Sequence, residues 1–582
     1  MFDDAEIHKL ICRQLEPHDL AQCARVNKKW HKAALPFLWL DLSCLEGLSD
    51  TQQQAFCDLI LEDYHRYHEL HEERGTTNQQ TRTQPSPPSI LEKYGPWVQK
   101  LPSPGFFRLL FQECGKEQHI QEHSASITST LAKCHSWARK LRSPGSFRSI
   151  FRTSQQTAHG MSVAEATALG AIRHIYKHCQ VQYLALDKAD LESDELLKTL
   201  TEFAVPHVRS LVVKSRSVFP GLESWRLKYL LNHCSNALED LTLNVNIYYE
   251  DQRSEEQDKE EPSPWMLLKR LRLERCGDKS GSRAFWSWLW KKCDKVELLR
   301  VEEIGEISDN LVEGIVTHMP NLDKIHLEGL ALTNEEIVAL LASSRHGWKE
   351  VRMEFLRAFE ASTKEVLMRH CSTVERLELI RCSCIMDNQK IQILASNPKL
   401  CDFIDLRPGG NWTDWTWCFR ASTFIDQDPS TGSLREWSSE SSIKTLKIKI
   451  TDIPRPDIHP LGKSVVEETY PGQGREIQGR VYDRLSRLTN LETLWLGGES
   501  SKWILRGCLE MSMDSGLHRL SGLKSLKELN VSFMRTRIGV KEVQWMTEQW
   551  PKLRIIYGLQ EAGRSKRPVE WLQQYHPEIC LK

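Results

Sequence analysis

The sequence lacks long apolar runs. In 582 residues nothing approaches the roughly 18 consecutive apolar residues of a membrane-spanning helix. Its opening, MFDDAEIHKL, is acidic and without an apolar core, so it does not read as a secretory signal. Net charge is missing too. The 77 Lys+Arg face 78 Asp+Glu, which gives no electrostatic pull toward nucleic acid or a membrane. The phosphate-cradling G-x-x-x-x-G-K-[ST] and G-x-G-x-x-G patterns are absent, as is G-x-S-x-G in a strand–turn–helix context. No CxxC pair is spaced for zinc, and Cys382 and Cys384 form a lone CxC. His65, His68 and His71 recur every three residues, so on a helix the third falls well off the face of the first. They read as a solvated helix end. The sequence therefore predicts no catalytic residues, no metal ligands and no cofactor. Its 17 cysteines, without an export signal, predict free thiols in a cytoplasmic or nuclear, reducing setting.

What is present is a repeat. The chain is too long for one compact core. From about residue 181 an apolar-x-x-apolar-x-apolar pattern recurs: VQYLAL at Val181, VRSLVV at Val208, LEDLTL at Leu238, LKRLRL at Leu268 and VELLRV at Val296. LDKIHL at Leu322, WKEVRM at Trp348, VERLEL at Val374 and LCDFID at Leu400 follow, each 26 residues after the one before. IKTLKI at Ile443, LETLWL at Leu491, LKELNV at Leu526 and a weaker LRIIYG at Leu553 complete the series. A 26-residue LxxLxL period is the signature of leucine-rich repeats. Each interval holds a short strand, a helix and two turns. Helix starts are expected at Ser193 before DELLKTL, Ser308 before DNLVEGI and Asn334 before EEIVALL. No single repeat buries its own apolar face, so neighbours must stack. The predicted fold is α/β: a horseshoe with parallel strands on the concave side and helices on the convex side. Cys179, Cys234, Cys276, Cys293, Cys371 and Cys382 sit near repeat-strand boundaries, which argues for packed thiols.

The opening segment is different. Ile7, Leu10, Ile11 and Leu15 follow helical spacing, and Pro17 breaks it. Asp19 is placed to cap a second helix and Asn27 a third, KKWHKAAL, which Pro36 ends. Three short helices bury little alone and need a partner or neighbour. The run AEIHKLICRQLEPHDLAQCARVNKKWHKAALPFLWLDL resembles an F-box. The resemblance covers about 42 residues. It departs at the start, where Asp3 and Asp4 stand before Ala5-Glu6 instead of the usual Leu-Pro. It implies docking on the Skp-type adaptor of a cullin-RING (SCF) ubiquitin ligase. Carried over by position, Ile7, Leu10, Ile11, Leu15, Leu20, Val26 and Trp30 form or support the adaptor-facing surface, and Trp39 packs where the F-box meets the next segment of the chain. F-box plus leucine-rich repeats implies a substrate receptor. The alternative is a repeat scaffold with a small helical cap and no part in ubiquitination.

The predicted organisation is an F-box-like domain (1–45), a helix and polar Pro-rich linker (46–90), irregular duplicated repeats (91–170) and regular repeats (171–406). Insertions around one repeat strand (407–480) and C-terminal repeats with a cap (481–582) complete it. The duplication aligns Lys93–Phe111 with Lys133–Phe151 at an offset of 40, either as two irregular repeats or as a duplication without function. Residues 250–264 hold seven acids against two bases and read as a solvated loop. The run NWTDWTW (Asn411–Trp417) either packs on the rim or forms an exposed recognition loop. The later repeats and IPRPD (Ile453–Asp457) look like those of fungal F-box/leucine-rich-repeat proteins.

In LxxLxL the variable positions point away from the core. One column reads Thr242, Arg272, Arg300, His326, Arg352, Glu378, and the next Asn244, Glu274, Glu302, Glu328, Glu354, Ile380. Strands about 4.8 Å apart make each column a ladder, so the Glu column is expected to neutralise the Arg/His column. The face is then either self-compensated, or Arg272, Arg300, His326 and Arg352 bind an acidic or phosphorylated segment of the target.

Overall fold

The computed structural model describes Asp63 and residues 163–582, with breaks at 180, 216–220, 235–236, 249–263, 277, 280–282, 304–307, 357–359, 383–385, 407–417, 429, 454–472, 498–506, 535 and 560–565. The F-box-like helices, the Lys93–Phe151 duplication, the acidic 250–264 stretch but for its last residue, the NWTDWTW run and all of IPRPD but Ile453 lie outside the described residues. The chain divides into two compact units, residues 1–295 with 305–307, and 296–304 with 308–582.

In the first unit a helix, Val163–His178, precedes four parallel strands: Tyr183–Asp187, Ser210–Lys214, Asp240–Asn244 and Arg270–Glu274. The pattern explains the strands directly. Alternation sends Leu241 and Leu243, or Leu271 and Leu273, into the core at 0% exposure while the residues between them face out. A second parallel sheet of two-residue strands forms beyond these, at Leu222–Glu223, Ile247–Tyr248 and Asp278–Lys279. The helix Arg283–Lys291 (RAFWSWLWK) buries Phe285, Trp286, Leu289 and Trp290, spaced to share one face.

In the second unit ten parallel strands follow in chain order: Leu298–Glu302, Lys324–Glu328, Glu350–Glu354, Arg376–Ile380, Asp402–Ile404, Thr445–Lys447, Thr493–Trp495, Glu528–Asn530, Ile555–Tyr557 and Cys580–Leu581. Each of the thirteen LxxLxL copies yields a strand starting two residues after its first apolar position, from Tyr183 after Val181 to Ile555 after Leu553. The last strand, Cys580–Leu581, carries no such pattern. Helices of both units add their apolar faces to the same cores, as Ile337, Leu340 and Leu341 do at 0% exposure. Both units thus have the α/β architecture of leucine-rich repeats.

A backbone feature recurs with the repeat. The residue after the strand is left-handed at Arg275 (φ 49°), Glu303 (44°), Gly329 (66°), Phe355 (58°) and Arg381 (53°). Only one of these is glycine, although a side chain there costs about 1–2 kcal/mol. The turn geometry is imposed by stacking rather than chosen by the local sequence.

Two helix starts differ from expectation by one residue. Ser193 caps its helix as expected, its Oγ accepting from the Leu196 amide at 3.3 Å. Ser308 and Asn334 are instead the first residues of their helices. At the second, Thr333 is the cap and forms a reciprocal box with Glu336. Asn334 is thereby released to join repeats. Its Nδ2 donates to Ser362 Oγ at 2.8 Å and its Oδ1 accepts from Thr363 Oγ1 at 2.7 Å. The thiols of Cys179, Cys234, Cys276, Cys293 and Cys382 are buried, while Cys371 is half-buried. Burial pushes the Cys234 and Cys276 thiols up to about 12.

Candidate functional site

The outward face of the strands is a surface that the repeats build from variable positions. The parallel register sets its columns. In the first unit Thr242 lies beside Arg272, and Asp240 beside Arg270. In the second unit Arg300 lies beside His326, His326 beside Arg352, and Arg352 beside Glu378. Arg272 therefore belongs to one unit and Arg300, His326 and Arg352 to the other. Arg272 is exposed, and its neighbour Arg270 is ion-paired to Asp240.

The other three side chains are engaged by the protein's own carboxylates. Arg300 pairs with Glu302 on its own strand. His326 Nε2 meets Glu350 Oε1 at 2.9 Å, on the next strand. Arg352 reaches Glu354 at 3.0 Å, Glu378 at 3.4 Å and Glu328 at 3.9 Å. Arg376 reaches Glu378 at 2.5 Å and Glu350 at 3.5 Å. Glu354 and Glu378 are only 0% and 3% exposed, so these guanidiniums help to replace the water they have lost. Burial works against the Arg352 charge, but Glu378, Glu354 and Glu328 outweigh it and raise its pKa. The hydrogen bond with His326 holds the Glu350 carboxyl below the usual carboxylate range. A column of like charges at strand spacing would repel, and the interleaved acids remove that repulsion.

Further along the second unit the face changes character. Ile380, Ile404 and Trp495 occupy outward positions and are largely buried. Lys447 lies in register between Ile404 and Trp495. Its Nζ sits 3.7 Å from the centre of the Trp495 ring. Trp495 donates from Nε1 to Glu528 Oε1 at 2.5 Å and packs on Tyr557 with ring centres 5.4 Å apart. The sequence columns stop at residue 380 and miss this cluster, because beyond Leu400 the 26-residue spacing fails. A buried pair also escapes the sequence reading. Lys390 Nζ meets Asp405 Oδ2 at 2.5 Å, both side chains nearly inaccessible, and burial pushes the Asp405 carboxyl up to about 6 against the pull of Lys390. Its spacing of 15 residues gives no periodic signal.

Among the described residues no cluster of three or more His, Cys, Asp or Glu is placed to hold a metal ion, and no helix is long and apolar enough to cross a membrane. The adaptor-facing residues Ile7, Leu10, Ile11, Leu15, Leu20, Val26 and Trp30 lie outside the described residues.

The F-box-like family model matches residues 5–44. No curated protein matches the sequence. Among solved structures, the complex of Rad7 and Elc1 in yeast is similar at 14% identity and a TM-score of 0.38, covering 79% of this chain and 97% of that one. An internalin (inlF) from Listeria monocytogenes is similar at 13% identity and a TM-score of 0.30, covering 73% and 91%. At these scores the repeat assignment rests on the strand pattern and register themselves. The F-box-like match at residues 5–44 thus stands ahead of an array of stacked LxxLxL strands with the leucine-rich-repeat architecture.

Proposed function

We propose that the chain is the substrate-recognition subunit of an SCF-type (cullin-RING) ubiquitin ligase. The observation that carries this reading is the F-box-like match at residues 5–44, placed ahead of a repeat array that presents a broad polar strand face. The F-box-like helices dock the Skp-type adaptor through Ile7, Leu10, Ile11, Leu15, Leu20, Val26 and Trp30. The repeats hold a target protein, with Arg272, Arg300, His326 and Arg352 on the target-facing side. Arg300 and Arg352 take part there as members of ion pairs, and His326 as the hydrogen-bond partner of Glu350, rather than as free cations. The chain itself is not an enzyme on this reading. Its contribution to ubiquitin transfer is proximity, bringing target lysines to a ubiquitin-charged enzyme in the cytoplasm or nucleus.

The test is co-expression with a Skp-type adaptor followed by size-exclusion chromatography, comparing wild type with Leu20→Asp/Val26→Asp. A one-to-one complex that the double variant loses is the expected result. A folded wild type that elutes apart from the adaptor overturns the ligase reading and leaves a free-standing repeat scaffold.

A further inference from the structure

The cations on the strand face of the second unit are not equivalent. The arginines at 300, 352 and 376 are bound to glutamates beside them, and an incoming anion would have to displace or share those carboxylates. Lys324 lies in register with Glu350 and lies close enough to help hold its carboxyl down. Lys447 differs in its immediate neighbours, although Glu528, Glu378 and Asp402 act on it from farther off. Its neighbours in register are an isoleucine and a tryptophan, and among the described residues no carboxylate stands within ion-pair distance of it. The ammonium is held over the Trp495 ring, which the Glu528 hydrogen bond and the Tyr557 ring fix in place. A ring face satisfies one side of an ammonium and leaves the other donors without acceptors. Burial lowers the Lys447 pKa despite the more distant pull of Glu528 and Glu378, as expected of a cation short of solvation. A half-buried charge with no carboxylate in ion-pair contact among the described residues, on a face whose arginines are paired, is a complementary place for an anion.

We propose that Lys447, positioned by the Trp495 ring, is the anion-docking point of the target-binding face, taking a carboxylate or phosphoryl group carried on a segment of the target protein. This rests on the target-binding reading above and gives it a chemistry. The anion pairs with Nζ from the open side while Trp495 keeps the ammonium from swinging into solvent. Arg300, His326 and Arg352 remain a framework that neutralises itself.

The experiment uses the full-length chain and four fluorescent nonapeptides, identical except for a central Leu-Glu-Leu, Leu-phosphoSer-Leu, Leu-Gln-Leu or Leu-Lys-Leu. Binding is followed by fluorescence anisotropy. The Glu or phosphoserine peptide, or both, should bind at least tenfold more tightly than the Gln and Lys peptides, and the ratio of the first two tells carboxylate from phosphoryl preference. Lys447→Gln should abolish that preference, and Lys447→Arg should retain most of it. Thermal unfolding of each variant checks that the fold is intact. Equal binding of all four peptides, preference for the Lys peptide, or a preference that survives Lys447→Gln overturns the proposal. If the chain still forms the adaptor complex in that case, the ligase reading stands and only the docking chemistry is lost.

Discussion

Arg484 offers a sharp test of how this array is held together. Its side chain is 0% exposed, on the helix Gln473–Ser486. It donates to Glu440 Oε1 at 2.6 Å and to the carbonyls of Ile425 at 2.9 Å and Asp426 at 3.3 Å, and it lies 4.3 Å from the centre of the Trp437 ring. Those carbonyls end the short helix Ala421–Ile425, whose cap Asp426 is left-handed at φ 46°. One guanidinium thus caps a helix, neutralises a carboxylate and fills the space against an indole. Breaking a buried ion pair costs about 3–5 kcal/mol. Here Arg487 stands 3.8 Å from Glu440 and relieves part of the loss, so Arg484→Ala should cost about 3 kcal/mol, the low end of that range. Arg484→Lys keeps the charge, but an ammonium lacks the planar fork that serves three acceptors while stacking on a ring, so a loss of about 2 kcal/mol is expected. Repeat arrays lose stability locally, so the readout is native-state hydrogen exchange of the Ala421–Ile425 helix. Exchange there should speed up about 100-fold in the alanine variant, since each 1.4 kcal/mol is tenfold. A change below about fivefold, or a lysine variant as damaged as alanine, would refute the keystone role.

Two other outcomes rest on burial and charge. Among the described cysteines, under limiting thiol reagent, the exposed Cys580 and half-buried Cys371 and Cys401 should label first, and the buried Cys179, Cys234, Cys276, Cys293, Cys382, Cys418 and Cys508 only on unfolding. Peptide mass mapping over time checks this, and early labelling of Cys276 would contradict the packing described. Because Glu350 is held below its ordinary 4.5, its stabilising contribution is present above that pH and lost as pH falls through its lowered folded value. The stability advantage of wild type over His326→Ala should therefore shrink as pH falls below about 4.5. A difference that stays constant as the pH is lowered removes His326 as the cause.

The parts legible in the sequence were those fixed by one-dimensional period. LxxLxL located thirteen strands because a buried apolar residue at every second position leaves only one register that hides them. The charge columns were legible for the same reason, as far as the 26-residue spacing held. Partnerships across repeats were not. His326 pairs with Glu350 at the first position of the next strand, not with the Glu column, because parallel strands place that oxygen nearer. Asn334 reads as a cap by residue type, yet Thr333 has that position and Asn334 reaches Ser362 and Thr363 instead. Lys447 and Trp495 are 48 residues apart with an irregular insertion between them, so only folding makes them adjacent. The short sheet at Leu222, Ile247 and Asp278 has two-residue strands, too brief to carry any alternation.

In the five-residue strands from Arg270–Glu274 to Arg376–Ile380, the left-handed residue that follows sets a fixed depth for the face. At Glu303, Gly329, Phe355 and Arg381 the chain turns away after the fifth residue, so each strand offers only two or three outward side chains. Anything long that lies on this surface must run across the strands, meeting one row about every 4.8 Å. An extended peptide advances about 3.3 Å per residue and falls out of step within a few residues. A helix repeats every 5.4 Å per turn and drifts more slowly. The surface acts as a comb whose teeth do not match the spacing of an extended chain, which favours reading a partner at one well-placed anchor over spelling out its sequence.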